Sequence, residues 1–124
     1  MKKILIVDDD PTFQKTMSDK LISLGYEVVG ATDGEAGLKV AYSDKPDLIL
    51  LDIKMPKLDG IGFLKELKAK KDIDPISTLI TSNMGTIDQI SEGIALGVKG
   101  YIIKSNETLD TIAKEVENVF KPTK

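Results

Sequence analysis

Leu48-Ile-Leu-Leu-Asp52-Ile-Lys-Met-Pro56-Lys-Leu-Asp-Gly60 decides how this chain folds. Four consecutive apolar residues, bounded by Pro46 on one side and by Pro56 and Gly60 on the other, describe a short strand buried on both faces. Asp52 closes the run, and the proline and glycine beyond it force a loop, so the carboxylate stands at the strand's C-terminal mouth. Ile4-Leu-Ile-Val7 is equally apolar and runs into Asp8-Asp9-Asp10. Two buried strands thus finish in Asp. In an open parallel sheet, neighbouring strands end at one crevice, and ligands bind there.

The stretches between these strands supply the rest of the architecture. Asp10-Pro11 reads as an N-cap followed by proline at the first helical position, opening a helix to about Leu24 with Phe13, Met17, Leu21 and Leu24 on one face and Gly25 as its stop. A second strand over Glu27 to Ala31, a helix from Glu35 to about Tyr42, and the strand Leu48 to Leu51 follow. The third helix turns Ile61, Phe63, Leu64 and Leu67 inward and Lys65, Glu66, Lys68, Lys70 and Lys71 outward. Asp74-Pro75 opens a fourth strand, Ser77 to Thr81, followed by the polar loop Ser82 to Gly85 and a helix from Thr86 to Leu96. A fifth strand, Gly100 to Ile103, precedes a helix from about Thr108 to Phe120 with Leu109, Ile112, Val116 and Val119 inward and Pro122 as its stop. Strands alternating with helices predict an α/β fold of βαβ units, with an all-parallel sheet and right-handed crossovers.

At 124 residues, 41% hydrophobic and 30% charged, the chain has the composition of one ordinary globular domain, with a core burying roughly two-thirds of the unfolded surface. The expectation is a single unit over 1–124, without an output module. A formal net charge of -3 leaves no nucleic-acid footprint, and no apolar run is long enough to span a bilayer. Met1-Lys-Lys lacks the features of a signal peptide, which makes a cytoplasmic location the default. There is no cysteine and no histidine, and all 17 basic residues are lysine. Disulfides, thiolate or imidazole metal ligands, the histidine general base and the guanidinium fork are therefore excluded together. Chemistry here has to run on carboxylate, lysine, hydroxyl and backbone.

Asp8, Asp9 and Asp52 in one crevice carry an electrostatic cost. Two carboxylates about 4 Å apart repel by roughly 4 kcal/mol at an effective dielectric near 20, so three of them need raised pKa values or a cation. Oxygen ligands with room for water and phosphate suit Mg²⁺ better than a Ca²⁺ cage. Lys104, ending the fifth strand after Tyr101-Ile-Ile, can neutralise an anion at the same sheet edge. The hydroxyl of Ser82, at the end of the fourth strand, can hydrogen-bond a phosphoryl oxygen, and Thr81 beside it is also a hydroxyl. Tyr101 is either core or, because of its phenol oxygen, a rim residue, and the rim is the expected place.

Val7-Asp-Asp-Asp-Pro11, Asp52-Ile-Lys-Met-Pro56, Leu58-Asp-Gly60, Ser82 and Leu96-Gly-Val-Lys-Gly-Tyr-Ile-Ile-Lys104 together resemble the receiver domain of two-component response regulators, stand-alone and chemotaxis-regulator-like. The resemblance runs in order along the whole chain. It implies a flavodoxin-like doubly wound (βα)5 sandwich with strand order 2-1-3-4-5. It also implies Asp52 as phosphoacceptor, and Mg²⁺ held by Asp8, Asp9, Asp52 and the backbone carbonyl of Lys54. Lys104 would pair with the phosphoryl group, and Ser82 and Tyr101 would form the switch. A sensor histidine kinase or histidine phosphotransfer protein would be the donor. A downstream protein would dock on the face made by the fourth helix, fifth strand and fifth helix, and the state would be monomer or phosphorylation-dependent dimer. One departure stands out, since the family usually has proline after the lysine and this chain has Ser105.

Rival readings exist in other classes. A Mg²⁺-dependent phosphohydrolase with an aspartyl-phosphate intermediate would use the same Asp, Ser and Lys, but such enzymes usually need a second acid two residues after the nucleophile, where this chain has Lys54. A flavodoxin-like cofactor binder would need a phosphate loop after the first strand, where three aspartates would repel a phosphate. A non-phosphorylated interaction module would not need the intact acidic set.

Overall fold

The computed structural model describes residues 1–55, 58–70, 76–82 and 87–121. Five strands and five α-helices alternate as β1 (Lys3–Val7), α1 (Pro11–Ser23), β2 (Glu27–Ala31), α2 (Gly34–Asp44), β3 (Leu48–Leu51), α3 (Gly60–Ala69), β4 (Ser77–Ser82), α4 (Ile87–Ala95), β5 (Gly100–Ile103) and α5 (Leu109–Phe120). A short 3-10 helix, Lys104–Asn106, follows β5. The strands form one parallel sheet in the order β2-β1-β3-β4-β5, so the α/β flavodoxin-like fold is present as expected.

Alternation along the central strands feeds two cores. Ile4, Ile6, Leu48 and Leu50 face α1 and α5, where they meet Met17, Leu21, Ile112 and Val116. Leu5, Val7, Ile49 and Leu51 face the other way, onto Ala41, Phe63, Leu64 and Leu67 of α2 and α3. A strand covered on both faces has no polar side to spare, which is why β3 and the last four residues of β1 read as unbroken apolar runs.

Capping fixes where the helices begin. Asp10 Oδ1 accepts from the backbone N–H groups of Thr12 (3.0 Å) and Phe13 (3.3 Å), and Pro11 fills the first helical position. Thr108 and Thr111 cap each other's backbone at the start of α5. Gly25 ends α1 in the left-handed region at φ 95°. Lys45 ends α2 in that region too, at φ 47°, a conformation that costs a non-glycine residue about 1 kcal/mol and turns the chain toward β3.

Several expected boundaries move. Leu24, placed by periodicity on the inner face of α1, is 44% exposed, because it lies past the last turn at the C-cap. β4 runs one residue further, so Ser82 belongs to the strand and not to the loop. The segment after Lys104 is a 3-10 turn entered through a trans Lys104–Ser105 peptide. The expected roles of Pro56, Lys71, Asp74-Pro75, the 83–86 part of the loop and Pro122 fall outside the described residues.

Candidate functional site

The ladder continues one residue beyond the strands at the two positions that matter most. The Asp8 N–H donates to the Ala31 carbonyl (3.0 Å) and the Asp52 N–H to the Val7 carbonyl (2.9 Å). Both carboxylates are therefore carried on backbone that is still part of the sheet. Gly60 closes the loop behind Asp52: its N–H donates to the Ile53 carbonyl (2.8 Å), and a Cβ there would overlap the Asp52 carbonyl oxygen. Only glycine permits that approach.

Asp8 is fully buried and Asp52 is 6% exposed, while Asp9 is exposed to solvent at the lip. One oxygen from each of the three lies within 4.8 Å of the others, a set able to hold a hard cation. Burial, above all, pushes Asp52 up to about 6; the Lys104 ammonium pulls the other way, Asp8 and Asp9 add to the rise, and the Lys54 backbone N–H lowers it. Asp8 is raised for the same first reason, opposed by Lys104 and by the Asp10 N–H that its Oδ1 accepts at 2.9 Å. A buried acidic cluster whose ionisation is held back is what a cation would relieve, so the residues fit a divalent metal.

Lys104 Nζ pairs with Asp8 Oδ2 at 2.5 Å and lies 3.9 Å from Asp52 Oδ2, with its side chain only 9% exposed. The lysine thus leans on Asp8 and reaches toward Asp52. Lys54 is exposed and, with Asp9, Ile53, Met55 and Asp59, lines an open depression beside the carboxylates.

Alternation also separates the two hydroxyls of β4. Leu79 packs in the core under α1 and α5 and Ile80 in the core under α2 and α3, so Thr81 falls to the first side and Ser82 to the second. Tyr101 packs against the second core, on the Ser82 side. Tyr101 is half-buried, as a rim position would have it, but its hydroxyl is buried and, among the described residues, has no hydrogen-bond partner, as is true of Thr81 Oγ1. Burial, and then the Asp52 carboxylate, raises the phenol's pKa.

Two residues of the site gave no motif in the sequence. Gln14 Nε2 donates to the carbonyls of Ile6 (3.1 Å), Asp8 (3.2 Å) and Ala31, tying α1 to the ends of β1 and β2. A Cβ at Gly30 would collide with Gln14 Oε1, so that glycine makes room for the amide. An amide at helical spacing from the buried Met17 and Leu21 was the available signal. Phe13 places its ring centroid 4.4 Å from Lys104 Nζ.

The structure is thus a doubly wound sheet of order 2-1-3-4-5 with three carboxylates and a lysine at its mouth, an α/β domain built around one acidic crevice. Residues 4–117 match the response regulator receiver domain, and the chain belongs to that family, the receiver domains of two-component signalling. It is 42% identical over 103 residues to the alkaline phosphatase synthesis transcriptional regulatory protein PhoP of Bacillus subtilis, covering 83% of this chain and 42% of that protein. To a probable transcriptional regulator ycf27 of Cyanophora paradoxa it is 41% identical over the same shares. The chain thus spans less than half the length of these relatives. Among solved structures, the Vibrio cholerae chemotaxis protein CheY4 superposes with TM-score 0.88 at 29% identity, covering 97% of this chain and 99% of that one. The Francisella response regulator 1452 receiver domain gives TM-score 0.86 at 29% identity, with both chains fully covered. No helix of the described residues is long and apolar enough to cross a membrane.

Proposed function

We propose that residues 1–124 act as one receiver unit in which Asp52 accepts a phosphoryl group from a phosphohistidine on a partner protein. The observation that carries this reading is the seating of Asp52: nearly buried, beside Asp8 and Asp9, with the Lys104 ammonium 3.9 Å from its Oδ2. An Asp52 oxygen attacks phosphorus, the P–N bond breaks, and the departing imidazole of the donor takes up a proton. Water later attacks the acyl phosphate, releasing inorganic phosphate and restoring the carboxylate. Residues 1–124 contain no histidine, so the phosphohistidine lies outside them, on a sensor histidine kinase or a histidine phosphotransfer protein.

Charge is the main obstacle to this transfer, and the side chains address it. Lys104 shifts from Asp8 toward the phosphoryl group on Asp52. Asp8, Asp9, Asp52 and the Lys54 carbonyl would hold Mg²⁺, which when bound offsets negative charge on the carboxylates and on the transferring group. Ser82 donates to a phosphoryl oxygen and is the switch hydroxyl, in keeping with its place on the Tyr101 side of the sheet. As Ser82 moves in, Tyr101 follows, and the α4, β5 and α5 face changes shape for a downstream protein. The setting is cytoplasmic, and the chain is a monomer or a phosphorylation-dependent dimer. The relatives' role as transcriptional regulators extends to this chain as a proposal only for a longer protein that would carry the output.

Incubation with Mg²⁺ and a small acyl phosphate, followed by peptide mass analysis, tests the reading. One phosphoryl group on Asp52 is the expected result; label elsewhere, or none, overturns it. Sustained turnover of small phosphate esters would instead favour a phosphohydrolase, against which Lys54 stands in the position of the second acid.

A further inference from the structure

We propose that Phe13 is a positioning residue for Lys104, seating its ammonium on an aromatic face between Asp8 and the phosphoryl group that Asp52 receives; the proposal rests on the phosphoacceptor reading of Asp52. Lys104 Nζ meets Asp8 Oδ2 at 2.5 Å, Asp52 Oδ2 at 3.9 Å and the Phe13 ring centroid at 4.4 Å. A lysine that stayed on Asp8 would be of little use to Asp52. A lysine released into water would pay to return.

An aromatic face attracts a cation without fixing its direction, and the attraction strengthens where water is scarce. Here the lysine side chain is 9% exposed and Asp8 is fully buried. The ring offers the ammonium a surface along which it can exchange one oxygen partner for another while remaining out of solvent. A carboxylate in the same place would hold it, and an aliphatic side chain would leave it with less to lean on.

The backbone that carries the ring is tied to the same carboxylate. Asp8 Oδ1 accepts from the Asp10 N–H (2.9 Å), and Asp10 Oδ1 accepts from the Phe13 N–H (3.3 Å). Phe13 touches Lys104 through its ring, and Lys104 returns to Asp8 Oδ2. The first turn of α1 is thus anchored to Asp8 through backbone caps and meets the lysine through the ring. Simple packing is the competing account, since Phe13 also lies against the core under α1 and α5.

Phe13→Leu keeps an apolar side chain and removes the ring; Phe13→Tyr keeps the ring. Two readouts separate seating from packing: the ring-current displacement of the Lys104 ε-methylene resonances, and the rate of Asp52 labelling as a function of acyl phosphate concentration with Mg²⁺ present. In the wild type the ε-methylene signals should be displaced upfield. Phe13→Leu should abolish that displacement and lower the maximal labelling rate about fivefold, the scale of a partly desolvated cation–π contact, with the half-saturating donor concentration unchanged. Phe13→Tyr should restore both. Undisplaced wild-type signals, normal labelling in Phe13→Leu, or equal loss in Leu and Tyr variants would each overturn the proposal. If the wild type takes up no label, the phosphoacceptor reading and the transfer role of Phe13 fall together, while the Lys104 resonances still decide whether the ring seats the ammonium.

Discussion

The mouth of the sheet is built in two halves of different character. On the β1 and β3 side every strand residue but Lys3 is buried, and the ladder extends through the N–H groups of Asp8 and Asp52. On the β4 and β5 side only Ile102 of the four β5 residues is buried, and the hydroxyls of Thr81 and Tyr101 are enclosed without a hydrogen-bond partner among the described residues. The first half is pinned; the second holds two buried hydroxyls, those of Thr81 and Tyr101, with no partner among the described residues. Reactive groups belong on backbone that cannot drift, and a response belongs where new bonds can form at small cost.

Removing the Asp52 carboxylate, the proposed phosphoacceptor, is the hardest blow to that contrast. Asp52→Asn should abolish labelling altogether, and at pH 7 the metal-free variant should unfold at higher urea concentration, with a gain on the order of 1–3 kcal/mol, because a costly buried charge is gone. A variant that still carries label at full stoichiometry would show that the pinned half is not where the chemistry lies.

Titrating the same group gives a graded version. Asp52 takes up protons more readily folded, at about 6, than unfolded, where an ordinary carboxylate titrates near 3.8, so between these values the native state binds more protons. Stability of the metal-free protein should therefore fall as pH rises from about 4 to 6, as the folded state loses a proton the unfolded state has already lost. Mg²⁺ affinity should climb through the same window, since the cation competes with that proton. Denaturant unfolding and Mg²⁺ titration across pH 4–7 would check both; flat profiles would mean that Asp52 ionises freely.

Ser82→Ala addresses the other half. Labelling of Asp52 should stay within about twofold, while the preference of a downstream protein for the phosphorylated form should drop about tenfold, the worth of one charge-assisted hydrogen bond. Binding measured with and without phosphorylation decides it, and an undiminished preference would remove Ser82 from the switch. Tyr101→Phe is the mildest change: deleting a buried hydroxyl with no partner among the described residues should raise stability by about 0.5–1 kcal/mol. A loss of similar size in the melting curve would show that the hydroxyl is bonded after all.

Much of the mouth was legible from sequence because Asp8, Asp52 and, on the β5 side, Lys104 each end an apolar run, and a parallel sheet brings such ends together. Ser82 against Thr81 could not be settled by counting, but strand alternation puts them on opposite faces. What stayed hidden is tertiary. The Lys104–Asp8 pair spans 96 residues, and Phe13 read as an ordinary core position because periodicity reports which face a residue occupies, not what it meets there. Gln14 was passed over for a related reason: its partners are backbone carbonyls on two strands, which carry no sequence signature. The reading of Tyr101 as a rim residue holds for its half-buried ring and fails for its oxygen, which is buried.

The ladder bonds at Asp8 and Asp52 also act as a ruler. Both carboxylates ride on adjacent parallel strands, whose separation of about 4.8 Å is a property of backbone pairing and not of any side chain. Loops on this edge can therefore lengthen, shorten or be exchanged between homologues without changing the gauge of the acidic crevice. A designer transplanting new loops onto this scaffold inherits the calibrated pair intact, provided Gly60 stays glycine and leaves the Asp52 carbonyl its room.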